Sequence, residues 1–221
     1  MTTDEAKPQR RKRQKRSLET RRKIMNAAMA EFAKFGFDGA STRGISKSAD
    51  VPHSLVIHHF TNKDELWRVT VMDAVDQYLD RVFEIEAECP TAAHRLRLRC
   101  AEYIRFSADH PDFFRMITQE NTLRSDRLSW LIDHHVRATT RMTADLIAQA
   151  QADGDFVSGD PMQLVYLFVG AATSPYRSDA ELEILTGHRP AEKGLIEEHI
   201  RTCERLFFRG KAAELFAEEE C

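Results

Sequence analysis

Ile24, Ala28, Phe32 and Phe35 recur at i, i+4, i+8 and i+11. That spacing puts them on one stripe of an α-helix, and the same period returns along the whole chain. Leu66, Val69, Met72, Leu79, Val82 and Phe83 mark a second long stripe. Leu128, Leu131, Ile132, His135, Met142 and Leu146 mark a third, and Leu195, Ile196, His199, Ile200, Cys203, Leu206 and Phe207 a fourth. No two-residue alternation persists, and Gly (9) and Pro (7) are scarce in 221 residues. These features predict an all-α protein. The length accommodates one large domain, or a small one followed by a larger one.

Turn and cap signals divide the chain. Residues 1–16 hold no usable apolar period and predict a disordered basic arm. Ser17 is a candidate cap for a helix reaching Phe35, and Gly36 ends it. Thr42 is a candidate cap for a short helix to about Ala49. Asp50-Val51-Pro52 makes a tight turn, and a third helix runs from His53 to Phe60. A long helix follows at about 63–87. Further helices are expected at 92–108, 111–121, from Ser125 or Asp126 to Ala152, 161–174 and 192–208. Pro175 to Pro190 reads as a looser connector with a turn of helix at 179–185. Asp160-Pro161 reads as a cap followed by proline at the first helical position. The expected domains are a small three-helix domain at 17–65 and a helical body at 66–221.

The net charge of −3 conceals an asymmetry. Residues 1–63 hold 14 Lys and Arg against 6 Asp and Glu, a net +8, and the remainder holds 18 against 29, a net −11. A basic first quarter on an acidic body predicts that one end meets a polyanion. The four cysteines are scattered without metal-type pairs, and the basic N-terminus lacks the apolar segment of a secretion signal. Both point to the cytoplasm, with reduced thiols. No apolar run is long enough to span a membrane, and the stretch 7–16 lacks the apolar face that a membrane-surface helix needs. There is no glycine-rich phosphate loop and no nucleophile elbow, and Glu84, Glu86 and Glu88 splay around their helix. An enzyme is not expected.

Two short helices joined by a tight turn and packed on a longer one make a helix-turn-helix, whose second helix fits the major groove. In Val51-Pro52-His53-Ser54-Leu55-Val56-Ile57-His58-His59-Phe60, Val51, Val56 and Phe60 are the expected inward anchors. His53 and Ser54, at the N-terminal end, can reach base edges, and Leu55 can meet a thymine methyl. A metal site is not expected here, because no carboxylate or cysteine completes the histidine set.

The stretch from Thr20 to Trp67 resembles the DNA-binding domain of the tetracycline-repressor (TetR) family. The resemblance is carried by Ile24, Ala27-Ala28, Phe32-Ala33 and Gly36-Phe37, then Thr42, Ile45-Ser46 and Ala49-Asp50-Val51, then His59-Phe60, Asn62-Lys63-Asp64 and Leu66. It implies a sequence-specific regulator, by analogy a repressor, with Thr42 and Arg43 on phosphates or bases. It further implies base reading by His53, Ser54 and Leu55, and backbone contacts from His59 and Lys63. Ile57 stands where the family commonly has a phosphate-binding tyrosine, and His58 or His59 is the expected substitute. Arg11, Arg13 and Arg16 in the basic arm can lie in a minor groove or simply attract phosphates.

For the body, the resemblance implies effector binding and dimerisation. A pocket would draw on Tyr103, Phe106, Phe113, Glu120, Trp130, His134, His135, Tyr166 and Arg177, although such aromatic residues and His135 more often belong to a core. The helices at 161–174 and 192–208 would pair with their copies through Leu164, Phe168, Leu195, His199, Cys203 and Leu206. The expected partners are a palindromic operator, a second copy of the chain and an unidentified small-molecule effector, with no other cofactor and no metal. The alternative is a helical small-molecule-binding or interaction protein whose DNA-binding head has degenerated.

Overall fold

The computed structural model describes residues 6–87 and 89–210, with side chains from Gln14 onward. The elements are α1 (Ala6–Gly39), α2 (Thr42–Ser48), α3 (His53–His59), α4 (Lys63–Glu86), α5 (Ala92–Asp109), α6 (Pro111–Leu123), α7 (Asp126–Leu131), a π-turn (Ile132–Val136), α8 (Arg137–Ala152), α9 (Pro161–Arg177), α10 (Asp179–Thr186) and α11 (Lys193–Phe207). Among the described residues there is no strand, only an isolated bridge between Phe156 and Phe208. The all-α expectation holds. The chain divides into two compact units, Met1–Ala74 and Val75–Cys221. The boundary lies inside α4 rather than at residue 65, because Leu66, Trp67, Thr70, Val71 and Ala74 are all buried on the first half of that helix.

In the first unit Ile24, Ala28, Phe32, Ile45, Val56, Phe60, Leu66 and Trp67 are buried. Helix α1 starts at Ala6, so the backbone from residue 6 to 16 is helical rather than disordered, and Ser17 lies inside the helix rather than capping it. Arg, Lys and Gln are good helix formers, and extending an existing helix adds one hydrogen bond per residue fixed. Gly36 takes φ 71° and ψ 172°, a conformation that suits glycine, and it kinks the helix. Phe35, one residue earlier, leaves the apolar stripe and is 49% exposed. The cap of α2 is Ser41 rather than Thr42, its hydroxyl accepting from the Gly44 N–H at 3.0 Å. Helix α2 ends in a Schellman motif. Asp50, at φ 52°, donates to the Lys47 carbonyl and Val51 to that of Ser46. Asp tolerates this left-handed turn better than most side chains. At the start of α4, Asn62 Oδ1 accepts from the Glu65 N–H at 2.8 Å, while the Glu65 carboxylate accepts from the Thr61 N–H at 2.6 Å. The two satisfy otherwise orphaned donors reciprocally.

In the second unit the core joins α5, α8, α9 and α11 through residues such as Leu96, Ile104, Ile147, Phe168, Ala172, Ile200 and Phe207. The expected helix from 125 to 152 is interrupted by the π-turn. One extra residue in that turn shifts the phase of everything after it. Ala144, Ile147 and Ala150 therefore face inward, while Met142 is exposed. Phe83 is exposed as well, since α4 buries the 71, 74 and 82 positions. Asp160 caps α9 as expected, accepting from the Gln163 N–H at 2.8 Å.

Helix α9 continues through Pro175 to Arg177. Proline has no N–H to give to the carbonyl four residues earlier, that of Ala171. The ring of His199 on α11 meets this carbonyl, Nε2 to oxygen at 3.1 Å. Burial lowers the pKa of His199 below its ordinary 6.5, and backbone hydrogen bonds at Ala172 and Ala171 work the other way. A lowered histidine pKa means that the unfolded chain takes up the proton first. The corresponding stability is complete above pH 6.5 and declines as pH falls from there through the folded-state pKa. The pKa of His59 in the first unit is lowered too, by burial and then by the charges of His58 and Arg21. The urea midpoint is expected to drop between pH 7.5 and 5.5, and His199→Gln is expected to flatten that slope. A midpoint that rises on acidification, or a slope untouched by His199→Gln, contradicts this role.

Candidate nucleic-acid interface and effector cavity

Helices α2 and α3, with the Asp50 turn between them, set the geometry of the first site. Val56 and Phe60 are buried as anchors and Val51 is half-buried. Anchoring α3 on that side turns Ser54, Ile57 and His58 to solvent, with His53, Leu55 and His59 half-buried. The Thr42 hydroxyl and His53 Nε2 lie 3.0 Å apart, which joins the start of α2 to the start of α3. Two residues expected to touch DNA thus form one polar pair. Arg43 is exposed beside them. Ile57 is 50% exposed, an apolar side chain on an otherwise polar face.

Lys63 has a role within the fold that its spacing did not announce. Its ammonium donates to the carbonyls of Phe37 at 2.8 Å and Ala40 at 3.0 Å and lies 4.5 Å from the centre of the Phe37 ring. A cation at the carbonyl end of a helix complements both the dipole and the unpaired acceptors. These bonds commit Lys63 to holding α4 against the end of α1, where a free phosphate ligand had been expected. Arg21 was missed by the sequence reading. It stacks on Phe60 at 4.7 Å and donates to the His59 carbonyl at 3.4 Å, covering the end of α3. Arg16 is exposed on α1. Arg11 and Arg13 fall on its helical backbone, and their side chains lie outside the described residues.

The second site is a cavity of about 310 Å³ within the second unit. Of the residues expected to line a pocket, it gathers Tyr103, Phe106, Phe113, His135, Tyr166 and Arg177. The rings interlock, with Tyr78 at 5.6 Å from Tyr103, Tyr103 at 5.8 Å from Phe114, and Phe106 at 5.6 Å from Phe113. Glu120, Trp130 and His134 are not among the lining residues. Glu120 is buried where Ser125 donates to it and Arg127 pairs with it at 3.1 Å, so it ties α6 to α7. His134 is exposed, with Nδ1 2.7 Å from the Trp130 carbonyl and its ring against the indole. Tyr78, Arg99, Thr139 and Thr143 were missed. The two threonines follow His135 at four-residue steps, a signal that becomes readable only once the π-turn sets the phase.

The dimer surface needs revision. Leu164, Phe168 and Cys203 are buried in the core of their own protomer, and His199 is used on Ala171. One face of the apolar helix α9 packs inward. The opposite face leaves Met162, Tyr166 (67%) and Leu167 (61%) exposed, and Leu206 on α11 is exposed too. Leu195 is half-buried.

Among the described residues, no helix is long and apolar enough to cross a membrane, and no group of three His, Cys, Asp or Glu is placed to hold a metal ion. The profile of bacterial regulatory proteins of the tetR family matches residues 24–69, and that of the tetracyclin repressor-like C-terminal domain matches residues 93–206. The chain belongs to the tetR family. It is accordingly a helix-turn-helix transcriptional regulator. Regulators of the tetR family bind operator DNA, dimerise and take small-molecule effectors. The HTH-type transcriptional regulator RutR of Escherichia coli K12 is 24% identical over 193 residues, 85% of this chain and 88% of RutR. IcaR of Staphylococcus epidermidis, a negative transcriptional regulator of the biofilm operon icaADBC, is 31% identical over 58 residues, 26% of this chain and 31% of IcaR. The structure of AibR in complex with isovaleryl coenzyme A and operator DNA shares the fold, with a TM-score of 0.68 at 17% identity, over 85% of this chain and 97% of that one.

Proposed function

We propose that this tetR-family protein is a cytoplasmic, non-enzymatic repressor that binds a palindromic operator as a homodimer and is controlled by a small molecule in the cavity of its second unit. The reading head is the N-terminal end of α3. The observation that carries it is the Thr42–His53 pair with Ser54 beside it, hydrogen-bonding groups on an exposed face whose opposite side is anchored by Val56 and Phe60. In the proposed assignment His53, Ser54 and Leu55 read bases, and Thr42, Arg43, His58 and His59 meet the backbone. Lys63 orients α4, and Arg11, Arg13 and Arg16 add attraction to phosphates.

Repression is supported by the likeness to IcaR, a negative regulator by name. A homodimer is supported by the exposed apolar face of α9 and by Leu206, which together replace the buried residues first expected there. Two heads related by a two-fold axis would read half-sites about 34–36 Å apart. Control by a small molecule is supported by AibR, solved with both isovaleryl coenzyme A and operator DNA. Helix α4 carries Leu66 and Trp67 in the first unit and contributes Tyr78, Leu79 and Val82 to the cavity. It is the covalent route by which occupancy would reach the head.

The test begins with a palindrome selected from a random duplex pool. His53→Ala and Leu55→Ala are each expected to weaken binding to it by about 1–3 kcal/mol, the worth of one good base contact, with thermal stability retained. Operator affinity unchanged in both variants refutes the reading head.

A further inference from the structure

The chemistry of the cavity selects among effectors, and the inference below rests on reading that cavity as the effector site. Its lining contains two arginines and no Asp or Glu. Arg99 is already neutralised, since Glu86 accepts from its Nε at 2.7 Å and its Nη2 at 2.8 Å. Arg177 is different. Among the described residues it has no hydrogen bond and no ion pair, and it sits in the last turn of α9 with its side chain at the exposed edge of the lining. The rest of the wall is mostly aromatic and aliphatic, Tyr78, Tyr103, Phe106 and Phe168 among it, with His135, Asn121 and five threonines as its other polar groups. Neither tyrosine hydroxyl has a hydrogen-bond partner among the described residues. A cavity with one uncompensated cation at its edge and a mostly apolar wall favours an amphipathic anion.

Size narrows the class. A dry apolar cavity of about 150 Å³ holds benzene, so about 310 Å³ suits a body of roughly ten to fifteen non-hydrogen atoms.

We infer that the effector is a small monocarboxylate with an aromatic or branched aliphatic body, its carboxylate on the Arg177 guanidinium and its body among Tyr78, Tyr103, Phe106 and Phe168. Burial keeps the Tyr103 phenol protonated by raising its pKa, with Arg177 working against that rise. The phenol is therefore a donor, which again suits a carboxylate oxygen. A guanidinium in the last turn of α9 also complements that helix's own carbonyls. That role alone would be blind to the charge of a ligand.

The experiment compares matched pairs on the full-length protein: phenylacetate against phenylacetamide, and 4-methylpentanoate against 4-methylpentanamide. Dissociation constants are measured by ligand-observed NMR titration at pH 7. The acids are expected to bind roughly tenfold to a hundredfold more tightly than their amides, the span of one charge-assisted hydrogen bond. Arg177→Gln is expected to erase that preference while leaving the weaker amide binding in place. Arg177 is exposed, so the variant is expected to fold, and the acid–amide comparison stands on the native protein regardless. Equal binding of acids and amides, or a preference that survives Arg177→Gln, overturns the carboxylate assignment and leaves the effector cavity standing. Absence of binding by all four compounds overturns both.

Discussion

Glu86→Leu is expected to destabilise the second unit by about 3–5 kcal/mol. Arg99 is 7% exposed and Glu86 10%. The guanidinium makes two short bonds to the carboxylate and a third to the Thr143 hydroxyl at 3.1 Å. Burial alone would push the arginine toward its neutral form, but the hydrogen bond and charge of Glu86 more than reverse that, so its pKa stands above the ordinary value. Removing Glu86 leaves a buried cation with a single hydroxyl for company. Removing both charges does not, and apolar replacements of similar volume are commonly neutral or better. The double variant Glu86→Leu, Arg99→Met is therefore expected to recover most of the loss. Urea unfolding of the native protein, both single variants and the double variant measures this directly. A single-variant cost below about 1 kcal/mol would mean that water reaches the pair.

The second large effect belongs to the head. Phe32→Ala is expected to cost about 3–5 kcal/mol, through lost burial and the cavity left behind. Phe32 is fully buried and stacks on Phe37 at 5.8 Å, and Phe37 in turn carries the Lys63 ammonium. A unit ending at Ala74 holds only about 4–11 kcal/mol of stability in total. The substitution thus consumes a large share of what keeps α2 and α3 in place. Operator binding should weaken steeply with temperature in Phe32→Ala, while carboxylate binding in the second unit is preserved. A variant with native operator affinity up to the native melting temperature would show that the head is held by something other than this core.

The sites were legible to different depths. In the head, local signals lie close together in sequence: the apolar stripe of α1, the Gly36 break and the proline before His53 are enough to place α3. Val56 and Phe60 as anchors follow from period alone. The partner of Lys63 does not, because Phe37 and Ala40 are brought to it by packing across the unit. Ser41 and Asn62 as caps were readable from residue type, since each stands just ahead of the helix it caps. The buried interior of α4 was misread where Thr70 and Val71 are buried and Val69 and Met72 only half-buried, each one position from the expected residue on the same helix.

In the body the limits are steeper. Helix positions came from apolar period and from proline and glycine punctuation, which are properties of the chain itself. Which residues line the cavity, and which side of α9 faces water, are not. A helix that is apolar all round carries no mark for its inward face. That choice was made by α5, α8 and α11, which took Leu164 and Phe168 and left Tyr166 and Leu167 outside. The π-turn shifted Thr139 and Thr143 into the cavity and Met142 out of the core. The bond from His199 to Ala171 answers a vacancy created by Pro175, 24 residues away in the chain. Sequence alone determined that the chain is helical, that a basic reading head precedes an acidic body, and which helix of that head faces outward, because each is set by local periodicity and charge. Tertiary structure alone decided the cavity, the pairing of Arg99 with Glu86 and the free face of α9, because each depends on which distant surfaces meet.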